Sequence, residues 1–245
     1  MNSFCRFKRN WIILMALATG CCFAEPLILV TEDYPPFNYV AADGVSVTGL
    51  NTEVLREMAK RADLEARVMI FPWKRALTMA MRDKNTCVFS AIRTAEREPD
   101  YQWIGPLISD NLALFARADS DITLKSLDDA RKYKVGTYNG SVSVPILESH
   151  GIPMDVAPDD QSNLKKMASN RIDLWVASLI TGPFMAKRSE IVAVKPVLTI
   201  GNANDFLMYL ACGKSMPKET VTRLNGVLKK MRSDGMFAKI QTKYE

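Results

Sequence analysis

Residues 27–97 read LILVTEDYPPFNYVAADGVSVTGLNTEVLREMAKRADLEARVMIFPWKRALTMAMRDKNTCVFSAIRTAER, and this stretch decides the fold. Leu27-Ile28-Leu29-Val30 is a short apolar run of strand character. From Asn51 to Ala62 the apolar positions Val54, Leu55, Met58, Ala59 and Ala62 recur at helical spacing. Val68-Met69-Ile70-Phe71 reads as a strand, Arg75 to Met81 as a helix, and Cys87-Val88-Phe89-Ser90-Ala91 as a strand again. The order is βαβαβ, which argues for a mostly parallel sheet with helices on its faces. Tyr34-Pro35-Pro36-Phe37, Phe71-Pro72-Trp73 and Thr94-Ala95-Glu96-Arg97 each fall where a strand ends or a helix begins. Open α/β sheets bind ligands at the carboxyl ends of their strands. Two aromatics and an arginine there suit a small molecule with a flat or apolar part and an anionic part.

A second unit starts near Asn111. Leu112 to Ala116 is a strand, and Ser126-Leu127-Asp128-Asp129 is a capping-box start to a short helix. Lys134 to Tyr138 is a strand that turns through Asn139-Gly140 into a helix carrying Pro145. Ser162 is the expected cap of a further helix, and Ile172 to Ser178 is a buried strand. The end of the chain differs. Phe206 to Cys212 reads as a strand, and Pro217 opens a long helix with Val221, Leu224, Val227, Leu228 and Met231 on one face, stopped by Gly235. This order fits one α/β unit inserted into another: residues 25–109 and 206–245 form a discontinuous first lobe, and residues 110–205 the second.

The N-terminus carries Arg6, Lys8 and Arg9, then the apolar run Trp11 to Ala18, then small residues up to Ala24. A basic region, a short apolar region and a small-residue exit describe a secretory leader over residues 1–24, cleaved after Ala24. The apolar run is shorter than the roughly 20 residues that span a bilayer. Ala18-Thr19-Gly20-Cys21 also has the outline of a lipobox, in which Cys21 would carry lipid, although the usual leading leucine is missing. The expected location is the periplasm. Without the leader's three cations the formal charge falls from +5 to +2, which gives no case for a nucleic-acid partner. Two cysteines outside the leader, Cys87 and Cys212, and a single histidine, His150, cannot form a Cys/His zinc cluster. No metal and no cofactor are expected.

The landmarks together resemble a known family. Tyr34-Pro35-Pro36-Phe37, Asp43-Gly44, Gly49-Leu50-Asn51, Thr94-Ala95-Glu96-Arg97, Asn170-Arg171-Ile172-Asp173 and Asn225-Gly226-Val227-Leu228 stand in the order seen in the polar-amino-acid cluster of periplasmic solute-binding proteins. These are the extracytoplasmic receptors of ABC importers, bacterial extracellular solute-binding family 3. The resemblance implies two α/β lobes joined by two hinge strands, a ligand cleft between them and a monomer that delivers a small polar, amino-acid-like solute to an inner-membrane ABC permease. It sets Tyr34 and Trp73 on the cleft walls and Arg97 at the ligand carboxylate. Ser90 and Ile92 fall where backbone groups face the ligand, and Tyr138, Asn139 and Ser141 where the second lobe meets its anionic end. Family topology also makes the strands of Cys87 and Cys212 antiparallel neighbours. An oxidising compartment then favours a bond where geometry permits, and two inert buried thiols are the alternative.

One position departs from that pattern. Relatives that bind amino acids usually hold the ligand ammonium with an aspartate where this chain has Ser178. A hydroxyl cannot neutralise a buried cation, and an unpaired buried charge costs several kcal/mol. Either another acid, Glu32, Asp33 or Asp205, takes over, or the solute is not an ordinary α-amino acid. Two further readings use the same fold: an enzyme resembling cyclohexadienyl dehydratase, and a ligand-sensing module for a membrane receptor. With one histidine no Ser/His/Asp constellation is available, so an enzyme would need a lone carboxylic acid in the cleft.

Overall fold

The computed structural model describes residues 25–244. The expected leader, its cleavage site and Cys21 lie outside the described residues. The first part of the chain forms β1 (Leu27–Thr31), a small hairpin of β2 (Tyr39–Val40) and β3 (Val47–Thr48), α1 (Leu50–Arg61), β4 (Ala66–Ile70), α2 (Trp73–Arg82), β5 (Thr86–Ile92) and β6 (Tyr101–Ser109). The middle part forms β7 (Leu112–Arg117), a 3-10 turn at Leu127–Lys132, β8 (Val135–Tyr138), α3 (Ser143–Ser149), β9 (Met154–Ala157), α4 (Asp160–Ala168), β10 (Leu174–Ser178), α5 (Thr181–Ser189) and β11 (Val194–Ile200). The chain then returns through a 3-10 turn at Ala203–Phe206 to β12 (Leu207–Gly213), α6 (Lys218–Ser233) and α7 (Met236–Gln241).

Two five-stranded sheets result, ordered β4-β1-β5-β12-β6 and β11-β7-β10-β8-β9. In the first, β1 is parallel to both β4 and β5, while β12 is antiparallel to β5 and β6. In the second, β8 is parallel to β9 and β10, while β7 is antiparallel to β10 and β11. Each sheet buries both faces, and the two-residue period of a strand assigns the side chains. Cys87 and Phe89 of β5 face the layer of α1, α6 and α7, where Val54, Leu55, Met58, Leu224, Leu228 and Met231 pack. Val88 faces the opposite layer, where Trp73, Ala76 and Ala80 of α2 pack, and Ala91 joins it out of phase because the β5–β12 register shifts between them, beside the left-handed Ser90. In the second sheet α3 packs on one face through Leu147, and α4 and α5 on the other through Leu164, Met167, Met185 and Ala186.

Several elements are absent from the sequence reading. Strands β6 and β11 each contain a proline, Pro106 and Pro196, and a proline demotes an apolar run read in isolation. Both lie at a sheet edge, where its missing N–H leaves no ladder partner unsatisfied, and the register shifts beside Pro196. A third edge strand absent from the sequence reading, β9, is four residues long. Helix α5 opens Thr181-Gly182-Pro183, which imitates a turn although Pro183 sits in a first turn that tolerates it. The cap of α4 also needs correcting. Asp159 caps it by accepting the Ser162 N–H at 2.7 Å, and Ser162 lies inside the helix.

Cys87 and Cys212 are opposite one another in the β5–β12 register and are joined by a disulfide. It lies at the start of β5, remote from the carboxyl ends of the parallel strands.

Candidate functional site

The chain crosses between the sheets at Asp110–Asn111 and again at residues 201–206, leaving a cleft onto which the carboxyl ends of the parallel strands open. Six of these ends supply side chains to one interlobe cavity, which is partly open to solvent. Glu32 and Tyr34 follow β1, Trp73 follows β4, and Ser90 and Ile92 end β5, with Arg97 shortly beyond. From the other lobe, Tyr138 and Ser141 come from the end of β8, Asp160 from the junction of β9 and α4, and Ser178 from the end of β10. Leu112, Val142, Val176, Ala177 and Met208 complete an apolar lining.

Polar contacts join the lobes across this cavity. Arg97 donates through Nη1 to the Ile92 carbonyl (2.9 Å) in its own lobe and through Nη2 to the Gly140 carbonyl (2.7 Å) in the other. Trp73 Nε1 donates to the same Gly140 oxygen at 3.0 Å, and the guanidinium lies 5.7 Å from the centre of the Trp73 ring. A guanidinium has five N–H donors, so two carbonyls leave it able to grip an anion as well. Gly140 has φ +82°, and a Cβ there would stand 3.2 Å from Trp73 Cδ1. A residue without a side chain is what lets the second lobe approach so closely. At the periphery Arg188 of α5 donates to the Val40 carbonyl at 3.0 Å and lies over the Tyr39 ring.

Ser90 is held in a left-handed conformation (φ +59°) at the end of β5. A buried amide network secures it. Asn51 Nδ2 donates to Ser90 Oγ at 2.9 Å, Ser90 donates to Asn38 Oδ1, and Asn38 Nδ2 donates to Thr31 Oγ1 and the Glu32 carbonyl, both at 2.8 Å. Such a conformation persists only where the surroundings over-determine it, and it turns the backbone toward the cavity.

Of the residues expected from the sequence, Tyr34, Trp73, Ser90, Ile92, Arg97, Tyr138, Ser141 and Ser178 line the cavity. Asn139 does not; its side chain is exposed and its N–H donates to the Ala157 carbonyl at 3.0 Å. The Ile92 carbonyl, expected to face a ligand, is taken by Arg97. Ser178 is fully engaged. It donates to Asp110 Oδ2 and accepts the N–H groups of Ile180 (3.1 Å), the N-cap residue of α5, and of Thr181 (2.9 Å), the first residue of that helix, so it has no bond left to offer. Among the candidate replacement acids, Glu32 lines the cavity. Asp33 is exposed and accepts the Val40 N–H, and Asp205 closes the turn after Asn202.

Two acids in the site are missing from the sequence reading. Asp110 lies at the crossing between lobes, 7 % exposed, behind Ser178, and burial raises its pKa. Asp160 is 4 % exposed. Its Oδ1 accepts the Trp175 Nε1–H at 2.7 Å, while Oδ2 is buried without a hydrogen-bond partner. Burial pushes its pKa up to about 7, although the Trp175 bond pulls the other way. Glu32 accepts from the Tyr138 hydroxyl at 3.0 Å. Burial, with Asp160 nearby, raises its pKa well above the carboxylate range, against the Tyr138 bond and the Arg97 charge. The signal for Asp160 lay in Asp159-Asp160-Gln161-Ser162, a helix start directly after the short edge strand.

A model of bacterial extracellular solute-binding proteins, family 3, matches residues 27–245. The L-cystine-binding protein TcyJ of Escherichia coli K12 is 22 % identical over 167 residues, 67 % of this chain and 62 % of that protein. The chain thus spans about three-fifths of that relative's length. The L-cystine-binding protein TcyA of Bacillus subtilis is 20 % identical over 211 residues, 86 % of this chain and 77 % of TcyA. Among solved structures, an ancestral arginine-binding protein bound to arginine superposes with a TM-score of 0.80 at 21 % identity, covering 89 % of this chain and 97 % of that one. A histidine kinase sensor domain similar to periplasmic binding proteins gives a TM-score of 0.82 at 19 % identity, over 89 % of this chain and 95 % of that one. These structural likenesses bear on the fold.

Proposed function

The chain belongs to the bacterial extracellular solute-binding proteins of family 3, and on that premise we propose that it captures a small, carboxylate-bearing, amino-acid-like solute in the periplasm by closure of its lobes. It would act as a monomer and deliver the solute to an inner-membrane ABC permease, as a binding protein and not an enzyme. The observation that carries this reading is Arg97, held between the lobes by one carbonyl from each and lining the interlobe cavity. A planar fork of N–H donors fits a carboxylate, and the Ser141 hydroxyl stands on the same cavity wall. Tyr34, Trp73 and Tyr138 supply flat apolar walls, the usual partners of a few fixed polar groups in a small-molecule site. Relatives of this chain are named for cystine and arginine, and one solved structure of an ancestral arginine-binding protein holds glutamine. His150 lies outside the cleft, paired with Asp128 on the surface.

The experiment is calorimetric titration with L-cystine, L-arginine and L-glutamine, repeated on Arg97→Ala. Truncating one partner of a buried charge pair costs about 2–5 kcal/mol, or roughly 30-fold to several-thousand-fold in Kd. Unchanged affinity in the variant for a solute that the native protein binds would remove Arg97 from the site.

A further inference from the structure

We propose that Glu32 and Asp160, one from each lobe, form a receptor for a cationic group of the solute, and that in its absence the pair retains a proton which capture expels. This inference rests on the reading of the cleft as a solute site and names the class of solute it selects.

Three observations lead here. First, the place where relatives keep an acid for the ammonium is closed to that use, because every hydrogen-bonding capacity of Ser178 is spent on Asp110 and the start of α5. Second, Asp160 Oδ2 is a buried acceptor without a partner at the wall of the cavity. A buried unsatisfied oxygen is costly, and a positively charged donor would relieve it. Third, the charges on the cavity wall do not balance. Glu32 and Asp160 share the wall with one cation among the described lining residues, Arg97, so both acids can ionise together only if the solute brings a net positive charge, whereas a neutral zwitterion leaves their shared proton in place. A solute with one carboxylate and two cationic groups brings that charge.

Both acids also line a groove on the outer side of the cavity, with Asp33, Trp73 and Asp159. The cationic end would therefore point outward along the cleft and away from the hinge. The other charged and titratable groups near the pair are Arg97, Tyr34 and Tyr138 within the cleft, Asp110 behind Ser178, and the exposed Asp33 and Asp159. Two carboxyls competing for one low-dielectric space do not both ionise, so one carries a proton until a cation arrives. On capture the O–H bond breaks, the proton passes to solvent, and an N–H···O⁻ bond forms in its place. No other reactant is consumed.

Calorimetry with matched probes tests this. L-Arginine and L-citrulline share an outline and differ in charge, as do L-lysine and L-norleucine. The expected result is a preference for the charged member of each pair by about ten- to a hundred-fold, the range of a hydrogen bond to a charged group. Titration in two buffers of different ionisation enthalpy should show proton release near pH 7 for the charged probes alone, and their affinity should rise with pH through that window. Asp160→Asn and Glu32→Gln should each abolish the preference and the release while weak binding of the neutral probe survives. Because the native protein alone yields preference and proton count, misfolding of a variant would not shield the idea. Equal affinity within each pair, or charged binding without proton release, overturns it and leaves the carboxylate reading standing. Binding of none of the four probes, nor of L-cystine or L-glutamine, overturns both.

Discussion

Replacing Ser178 with alanine separates a structural role from a ligand contact. The side chain is 1 % exposed, and its single oxygen joins three groups: the Asp110 carboxylate and the N–H groups of Ile180 and Thr181. Loss of a side-chain acceptor at a helix start costs about 0.5–2 kcal/mol, and loss of a hydrogen bond to a charged group about 1.5–3 kcal/mol. The bonds share one atom and are not additive, so about 3 kcal/mol is a fair expectation. For a domain of this size that lowers Tm by about 6–12 °C. The assay is thermal unfolding of the ligand-free protein beside calorimetry with whichever solute binds. Stability should fall while affinity moves less than about threefold, since the hydroxyl has nothing left to give a ligand. The deficit should also widen as pH rises. Asp110 already has a raised pKa, and losing the Ser178 donor raises it further, so the variant loses stability as the pH climbs through that higher value. A stable variant with tenfold weaker binding would refute this argument and return Ser178 to the ligand.

Two other outcomes follow from buried groups. The ligand-free protein should be more stable at pH 5 than at pH 7.5. Asp160, raised by burial to about 7, binds its proton more tightly folded than unfolded, so its contribution is complete at low pH and disappears as pH rises through about 7. Surface acids lowered by ion pairs, such as Asp128 and Asp234, titrate below this window, and Asp160→Asn should flatten the slope measured by urea unfolding. Reducing the Cys87–Cys212 bond, which joins positions 125 residues apart, should cost about 2–5 kcal/mol, read as a drop in Tm of at least about 5 °C on adding a phosphine reductant.

The sequence made the interior of both sheets legible because buried strands and two-sided helices carry strong periodicity. Leu27–Thr31, Thr86–Ile92, Leu174–Ser178 and the helix at Leu50–Arg61 could be read from their apolar spacing alone. Three of the four edges were opaque, β4 being the exception. Pro106, Pro196 and the four-residue Met154–Ala157 strand each lack the pattern that a central strand must have, and they can, because one side of an edge has no ladder to complete. That blindness carried into the site. Asp160 follows an unread edge strand and Asp110 follows another, so neither acid was seen as a strand-end residue. Arg97 and Tyr34 follow well-marked central strands, and Trp73 follows β4, an edge strand whose apolar run carries no proline, so their neighbourhood is readable from the sequence. What no linear pattern gives is saturation: that Ser178 has three partners and Asp160 Oδ2 has none is a property of packing alone.

The Gly140 carbonyl, which accepts from Trp73 and Arg97 together, has a kinetic consequence. With the lobes latched the Gly140 turn lies against Arg97 and Trp73, so a solute that needs the space between these groups must wait for both bonds to break. Association should then be limited by opening and not by diffusion, with an observed rate that levels off as solute concentration rises. The acceptor belongs to the main chain, so no side-chain exchange at Gly140 deletes it directly. Weakening it from the donor side, by Trp73→Phe, should raise that plateau and shorten the residence of bound solute in the same stroke. A protein that hands its cargo onward needs a dwell time within bounds, and one shared oxygen atom would set it.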